Sequence, residues 1–283
     1  MAVFDFNVHL VGDPAADTPG RLRDEGGLSV SGLHECYQRH REALRSSMEA
    51  LNVMLFNQAI PFEDQPLSAW TAGVRRDFPD AVFTQLLDFR RPGIAGALDR
   101  LTASGIGGVK FHSYVQQIAD ADIPAALRAA RAAAERGAFL CIDASYGTTR
   151  LYDHDNLKLA AAIVREVRTV PIVILHSGGA RRWEAMLLAE HNPNVLLETS
   201  FTLPYYEGSA ILDDLAFIYR KIGVDRVLYA SDFPYVALDA SLACMQRFLE
   251  TYEFSSVERA AMLGGNARRV FGQPAPTSPR SVS

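Results

Sequence analysis

The sequence predicts a single-domain α/β protein, a (β/α)8 TIM barrel. Three observations carry that reading: eight short apolar runs, helix-length segments between them, and a length of 283 residues that suits one large barrel. The runs are 3–9, 51–56, 81–89, 108–112, 138–143, 172–176, 195–199 and 226–230. Each is almost continuously apolar rather than alternating, which is the pattern of strands covered on both faces in a parallel sheet. Among the intervening segments, 123–136 is rich in alanine and arginine, and 157–167 sets Leu159, Ile163, Val164 and Val167 on one helical face. Gly223 stops the helix expected over 210–222, and Asn266 reads as the N-cap of a helix over 267–270. A doubly wound sheet usually has fewer strands, and neither GxGxxG nor GxxxxGK[ST] occurs. The expected domain is 1–272, and 273–283, rich in proline and serine, is expected to be a disordered tail.

Composition narrows the function. Hydrophobic residues make up 48% and charged residues 22% of the chain, and 28 Lys+Arg against 33 Asp+Glu give a net charge of -5. No basic block is present to neutralise phosphates, which argues against nucleic acid or an anionic membrane and for a small-molecule substrate. Cys36, Cys141 and Cys244 show no CxxC spacing, and an odd count makes no disulfide framework, so a reducing cytoplasm is expected. The N-terminal MAVFDFNVHL lacks a basic n-region, and no apolar run reaches the ~18 residues that cross a bilayer, so neither a standard secretory signal nor a membrane span is expected.

Active sites of such barrels form at the C-terminal ends of the strands, so polar residues that end apolar runs are the candidates. The first run ends in Asp5-Phe6-Asn7-Val8-His9, where a period of two sends Asp5, Asn7 and His9 to the barrel side. Lys110 and His112 end the fourth run, Asp143 the fifth, His176 the sixth, Glu198 the seventh, and Ser231-Asp232 follow the eighth. Imidazoles and carboxylates converging from several strands are what a divalent metal needs, with a position left open for water or substrate. Three histidines and an aspartate at four strand ends are hard to explain by packing, because every buried polar group must be satisfied.

Six segments in order carry a resemblance: 5–9, 108–112, Ile174-Leu175-His176-Ser177-Gly178-Gly179, Asn194 to Ser200, Tyr229-Ala230-Ser231-Asp232-Phe233-Pro234, and Gly265 to Phe271. They resemble the amidohydrolase-related family of amidohydrolase 2 type, a branch of the metal-dependent hydrolase superfamily that includes hydrolases and nonoxidative decarboxylases. The sequence departs from that pattern twice. The usual Asp-x-His-x-His of the first strand reads Asp5-Phe6-Asn7-Val8-His9, and the histidine that ends strand five is replaced by Asp143. A neutral amide is a poor zinc ligand and a carboxylate a good one, so a two-metal centre is not expected.

Three readings stay open. In the first, His9, His176 and Asp232, with Asp143 or Asn7, hold one divalent metal, Zn or Mn; Asp232, as the resemblance implies, takes the proton from the nucleophile. In the second, the site is metal-free, with His176, Asp232 and His9 as acid and base and Lys110, Arg150 or another cation binding an anionic substrate. The third is a non-catalytic binding barrel. The expected activity is hydrolysis of a small carboxylate-bearing molecule, with a decarboxylase-type lyase as the alternative, catalysed by His176 and Asp232.

Lys110, His112, Tyr205 and Tyr235 are the candidate substrate contacts, with Tyr206 and the segment 145–148 as further pocket-lining groups. Carboxylation of Lys110, found in other branches of the superfamily, is less expected than an anion contact or an ion pair. Glu198 reads as a buried partner for Lys110 or His112. His34, His40, His154 and His191 read as non-ligands, and Cys141 as core. The resemblance also implies a homodimer or larger assembly.

Overall fold

The computed structural model describes residues 2–10, 30–56, 67–145 and 148–272. The 273–283 tail and residues 146–147 of the expected pocket segment lie outside them. Eight parallel strands follow one another around the sheet: β1 Phe4–Val8, β2 Ala50–Leu55, β3 Val82–Leu86, β4 Gly108–His112, β5 Phe139–Asp143, β6 Ile172–Ile174, β7 Val195–Glu198 and β8 Val227–Leu228. The described helices are α1 Val30–Ser47, α2 Leu67–Asp77, α3 Ile94–Ala103, α4 Ile123–Glu135, α5 Asn156–Glu166, α6 Arg182–His191, α7 Thr202–Tyr205, α8 Ile211–Ile222, α9 Leu238–Thr251, α10 Ser256–Ala260 and α11 Asn266–Phe271. The barrel nearly closes through the backbone beyond β8. Phe6 N donates to Tyr229 O at 3.0 Å, Asp232 N to Asn7 O at 3.0 Å, and His9 N to Phe233 O at 2.7 Å. The fold is the predicted single-domain (β/α)8 TIM barrel, and every apolar run became a strand.

Two apolar layers flank the sheet. One lies between strands and helices, with Val53, Phe83, Val109, Ile142, Ile163 and Leu197 in its cluster. The other fills the N-terminal half of the barrel interior, where Phe6 and Phe139 meet Phe271 at ring distances of 4.6 and 4.7 Å. Each such side chain, taken from water into the core, contributes roughly 1.5–3 kcal/mol. Gly108 is required where β4 meets this plug, because a Cβ there would lie 2.3 Å from the Phe139 ring. With this end sealed by aromatic rings, the polar residues collect at the other.

Two local expectations need correction. Asn266 does not cap a helix. It is buried as the first residue of α11, and its Nδ2 donates to Val224 O at 2.7 Å and Val227 O at 2.8 Å, tying α11 to the start of β8. In β1 the alternation breaks, because the register against β2 shifts between Asp5 and Val8. Phe4 and Phe6 join the interior cluster, and the extra residue of the bulge turns Asn7 and His9 toward the site. Asp5 therefore does not share their direction; its Oδ1 accepts from the backbone N–H of Asn7 at 3.1 Å and of Ser231 at 2.9 Å. Gly223 does stop α8, at φ 101°. Among the described residues no helix is long and apolar enough to cross a membrane.

Candidate functional site

Strands β4, β5 and β6 deliver three nitrogens to one carboxylate oxygen. Around Asp143 Oδ2 stand Lys110 Nζ at 2.9 Å, His176 Nε2 at 3.4 Å and His112 Nε2 at 3.6 Å. Lys110, His112, Asp143 and His176 are all buried. Across the pocket, His9 Nε2 lies 3.3 Å from Asp232 Oδ1. Between the groups sits Phe56, just after β2: the Lys110 ammonium lies 4.5 Å from its ring centre, the His9 ring 4.7 Å and the His112 ring 5.7 Å.

His176 is held by an unusual stretch of backbone. His176 and Ser177 have φ of 57° and 50°, ending β6 two residues before the apolar run ends, and Gly178 follows at φ 83°. A Cβ on Gly178 would lie 2.5 Å from that of Ala185 in α6, so glycine is required both for conformation and for space. The left-handed turn is stabilised from the end of β7 and the start of α7. Glu198 Oε2 accepts from His176 N at 3.0 Å, and Thr202 Oγ1 donates to His176 O at 2.6 Å. Ser177 Oγ donates to Glu198 O at 2.8 Å.

Ser200 fixes the ring itself. Its Oγ gives its one proton to Glu198 Oε2 at 2.9 Å and receives the Asn7 amide at 3.0 Å and His176 Nδ1 at 3.1 Å. The Ser200 carbonyl oxygen also lies 3.0 Å from Nδ1. Both oxygens can only accept there, so Nδ1 carries a hydrogen and Nε2, facing Asp143, is the nitrogen that gains or loses a proton. Glu198 is therefore the partner of His176 and Ser200, not of Lys110 or His112 as the sequence led us to expect; the partner of Lys110 is Asp143.

The electrostatics separate the two imidazole–carboxylate pairs. Burial by itself lowers an imidazole, but the Asp143 charge and hydrogen bond, then Asp232 and Glu198, outweigh it and raise His176 to about 9. Burial opposes the Asp143 charge, yet His112, Lys110 and His176 hold this carboxyl well below its ordinary value. Asp232 is also lowered, because the His9 hydrogen bond and the charges of His176, His9 and Lys110 overcome burial. His112 goes the other way, pushed down by burial to about 4, and burial lowers His9 too. Near neutral pH His176 is thus protonated and Asp143 and Asp232 are ionised, while His9 and His112 are uncharged.

The remaining candidates lie at the rim or off the site. Tyr235 is 38% exposed and meets the His9 ring edge-on at 5.6 Å. Tyr205 is 59% exposed, stacked on Phe201 at 5.5 Å and set against Tyr206 at 5.0 Å. Ser145 donates through N and Oγ to Asp143 Oδ1, at 3.0 and 2.6 Å, and Arg150 is exposed. Cys141 is buried in the interior cluster. His191 ends α6 with Nδ1 3.0 Å from Leu187 O, and His40 packs edge-on against Phe233 at 4.9 Å. Phe56 and Ser200 escaped the sequence reading. A phenylalanine ending an apolar run looks like core, and the one available signal for Ser200 was its place two residues beyond Glu198.

The resemblance implies a divalent metal, but the donors present do not fit one. Among the described residues no group of three or more His, Cys, Asp or Glu side chains is arranged to hold an ion. Asn7 offers only a neutral amide, and Asp143 already balances the Lys110 ammonium.

Known proteins place the chain. Solved structures share the fold across nearly the whole length. A probable 2-pyrone-4,6-dicarboxylic acid hydrolase from Acinetobacter baumannii, with citric acid bound, aligns at 13% identity and TM-score 0.61 over 96% of this chain and 99% of its own. A 5-carboxyvanillate decarboxylase from Sphingomonas paucimobilis aligns at 15% identity and TM-score 0.61 over 95% and 98%. An uncharacterised TIM-barrel protein from Bordetella bronchiseptica aligns at 15% identity and TM-score 0.68 over 95% and 98%. No curated protein matches the chain significantly. The Amidohydro_2 family model, described as amidohydrolase, matches residues 40–273, a span that takes in Lys110, Asp143, His176, Glu198 and Asp232 and leaves β1 with its Asn7 outside. The chain belongs to the amidohydrolase family.

Proposed function

We propose that this protein is a hydrolase acting on a small carboxylate-bearing molecule by acid–base catalysis, with Asp232 as general base and His176 as general acid. One observation carries the reading: in a single buried pocket the Asp232 carboxyl is pushed down and the His176 imidazole is pushed up to about 9. Two titratable groups driven apart by their surroundings are how one site holds a base and an acid at the same pH. Asp232, hydrogen-bonded to His9, takes a proton from water as the water attacks the scissile carbonyl carbon. The carbonyl oxygen becomes an oxyanion facing the His176 imidazolium, which stabilises it and then delivers the Nε2 proton to the leaving oxygen or nitrogen. Products are an acid and an alcohol or amine, and the proton taken up by Asp232 is passed on through solvent while His176 Nε2 regains one, so both groups return to their starting states. Lys110 acts from the pocket floor as a fixed positive charge, and His112, Tyr235 and Tyr205 line the path by which the substrate carboxylate enters.

Decarboxylation is the second reading, favoured by the same His176. A buried imidazolium can protonate a carbanion as CO2 leaves. The structurally similar 5-carboxyvanillate decarboxylase supports keeping this chemistry in view. Both readings are tested together by incubating the enzyme with a panel of carboxylate-bearing lactones and esters, and of aromatic carboxylates, while following acid release and CO2. Hydrolysis that disappears in Asp232→Asn is the expected result. CO2 release without hydrolysis would move the assignment to the lyase, and turnover of nothing on either panel would leave a barrel that only binds.

A further inference from the structure

We propose that the Lys110 ammonium is the resident cation of this pocket, occupying the electrostatic place that the family frame gives to a divalent metal and excluding one. The inference deepens the acid–base reading of the same site and rests on it for its use in catalysis, though not for the geometry. Lys110 enters from the middle of β4 and is 1% exposed. Its Nζ lies 2.9 Å from Asp143 Oδ2, the residue that stands where the family pattern has the strand-five histidine. Phe56 supplies a ring face 4.5 Å from the same Nζ, a second site of negative potential for a cation. His176 and His112 approach the same carboxylate oxygen. From this position the ammonium charge is felt by His9 and by Asp232 on the far side of the pocket.

The sequence changes fit together in this light. Histidine at position 143 would leave a buried ammonium without a counter-ion; aspartate supplies one. Asn7 uses its amide hydrogens on Ser200 Oγ and so serves to orient the serine that holds His176. A divalent ion entering among His9, His176, Asp143 and Asp232 would meet a buried like charge, and like charges at a few ångströms in a low-dielectric pocket repel strongly. What the site needs from a cation, a positive potential where an oxyanion forms, is already attached to the chain.

The test is Zn2+ binding, read by calorimetry and by elemental analysis after desalting, on protein purified without chelator or affinity metal. Wild type and Lys110→Arg should retain no stoichiometric zinc. Lys110→Met, which removes the buried ammonium and leaves His176 as the remaining charged partner of Asp143, should bind Zn2+ at least about 100-fold more tightly than wild type. Lys110→Gln, able to hydrogen-bond Asp143, gives the same comparison should the methionine variant not fold. One equivalent of tightly held zinc in the wild type, or no gain in affinity in a folded Lys110 variant, would overturn the proposal. Neither readout uses turnover, so the hydrolase assignment stands or falls separately through the substrate panels.

Discussion

His176 Nε2 stands 3.4 Å from Asp143 Oδ2 while the opposite ring nitrogen faces the Ser200 carbonyl at 3.0 Å. A ring gripped this way has an acceptor for each of its N–H groups, so the imidazolium is the satisfied form. Deprotonation at Nε2 would leave two acceptors facing each other in a buried site. The protonated state is thus built into the architecture before any substrate arrives.

Replacing His176 by Asn, or Asp232 by Asn, removes the acid or the base. Each change should lower kcat by about 100-fold or more. Folding should survive, because the backbone of residue 176 keeps its bonds to Glu198 and Thr202. Steady-state kinetics beside thermal unfolding check this, and activity within a few-fold of the parent in both variants would remove these residues from the mechanism.

The pH dependence has a definite sign. His176 is raised from 6.5 to about 9, so kcat/KM should fall as pH rises through about 9 and the acid loses its proton. On the acid side the rate should hold until Asp232 protonates, below the ordinary carboxylate range. Stability follows the same group. A histidine whose folded pKa is raised contributes stabilisation fully present below pH 6.5 and lost as pH rises through about 9, on the order of 3 kcal/mol. Thermal melts across pH 6 to 10 should show that loss in wild type and a shallower one in His176→Asn.

Asp5 should also lower stability as pH rises, over a more acidic range. Burial raises its carboxyl to about 7, and among the described residues its Oδ2 has no hydrogen-bond partner. An acid whose folded pKa is raised costs stability as pH rises from 3.8 to about 7, because the unfolded chain ionises first. Asp5→Asn, which keeps an oxygen for the Asn7 and Ser231 amides, should therefore gain about 2–3 kcal/mol more at pH 8 than at pH 5 relative to wild type. Denaturant unfolding at the two pH values measures the difference; an equal effect at both would contradict the assignment.

Ser200→Ala removes the hydroxyl shared by Asn7, His176 and Glu198. The fold should lose about 1–3 kcal/mol. Catalysis should suffer through orientation, with kcat lowered about 10-fold or more and KM little changed, while Ser200→Thr should restore part of it. An unchanged kcat would show that His176 needs no such support.

The barrel was legible because its strands are buried on both faces and so read as unbroken apolar runs, and Lys110, Asp143, His176 and Asp232 were legible because polar residues ending such runs are conspicuous. What the sequence hid was relational. The β1 bulge that separates Asp5 from Asn7 and His9 leaves no mark in a five-residue string. The partner of Glu198 depends on a left-handed turn at His176 and Ser177, residues that ordinarily avoid positive φ. Asn266 looked like a cap by position but binds the carbonyls of Val224 and Val227, which only the packing of α11 beneath the barrel brings near. Phe56 is indistinguishable from core until Lys110, His9 and His112 are seen around its ring.

The most direct test of the account needs no substrate. Protein labelled with 15N in its imidazoles can be titrated by NMR from pH 5 to 10, with His176 assigned by the signals lost in His176→Asn. The account predicts that His176 titrates near pH 9, with Nδ1 protonated throughout, while His112 stays neutral down to about pH 4. A His176 that titrates at or below 6.5 would contradict it, since the pocket would then hold no imidazolium to act as the acid opposite the ionised Asp232.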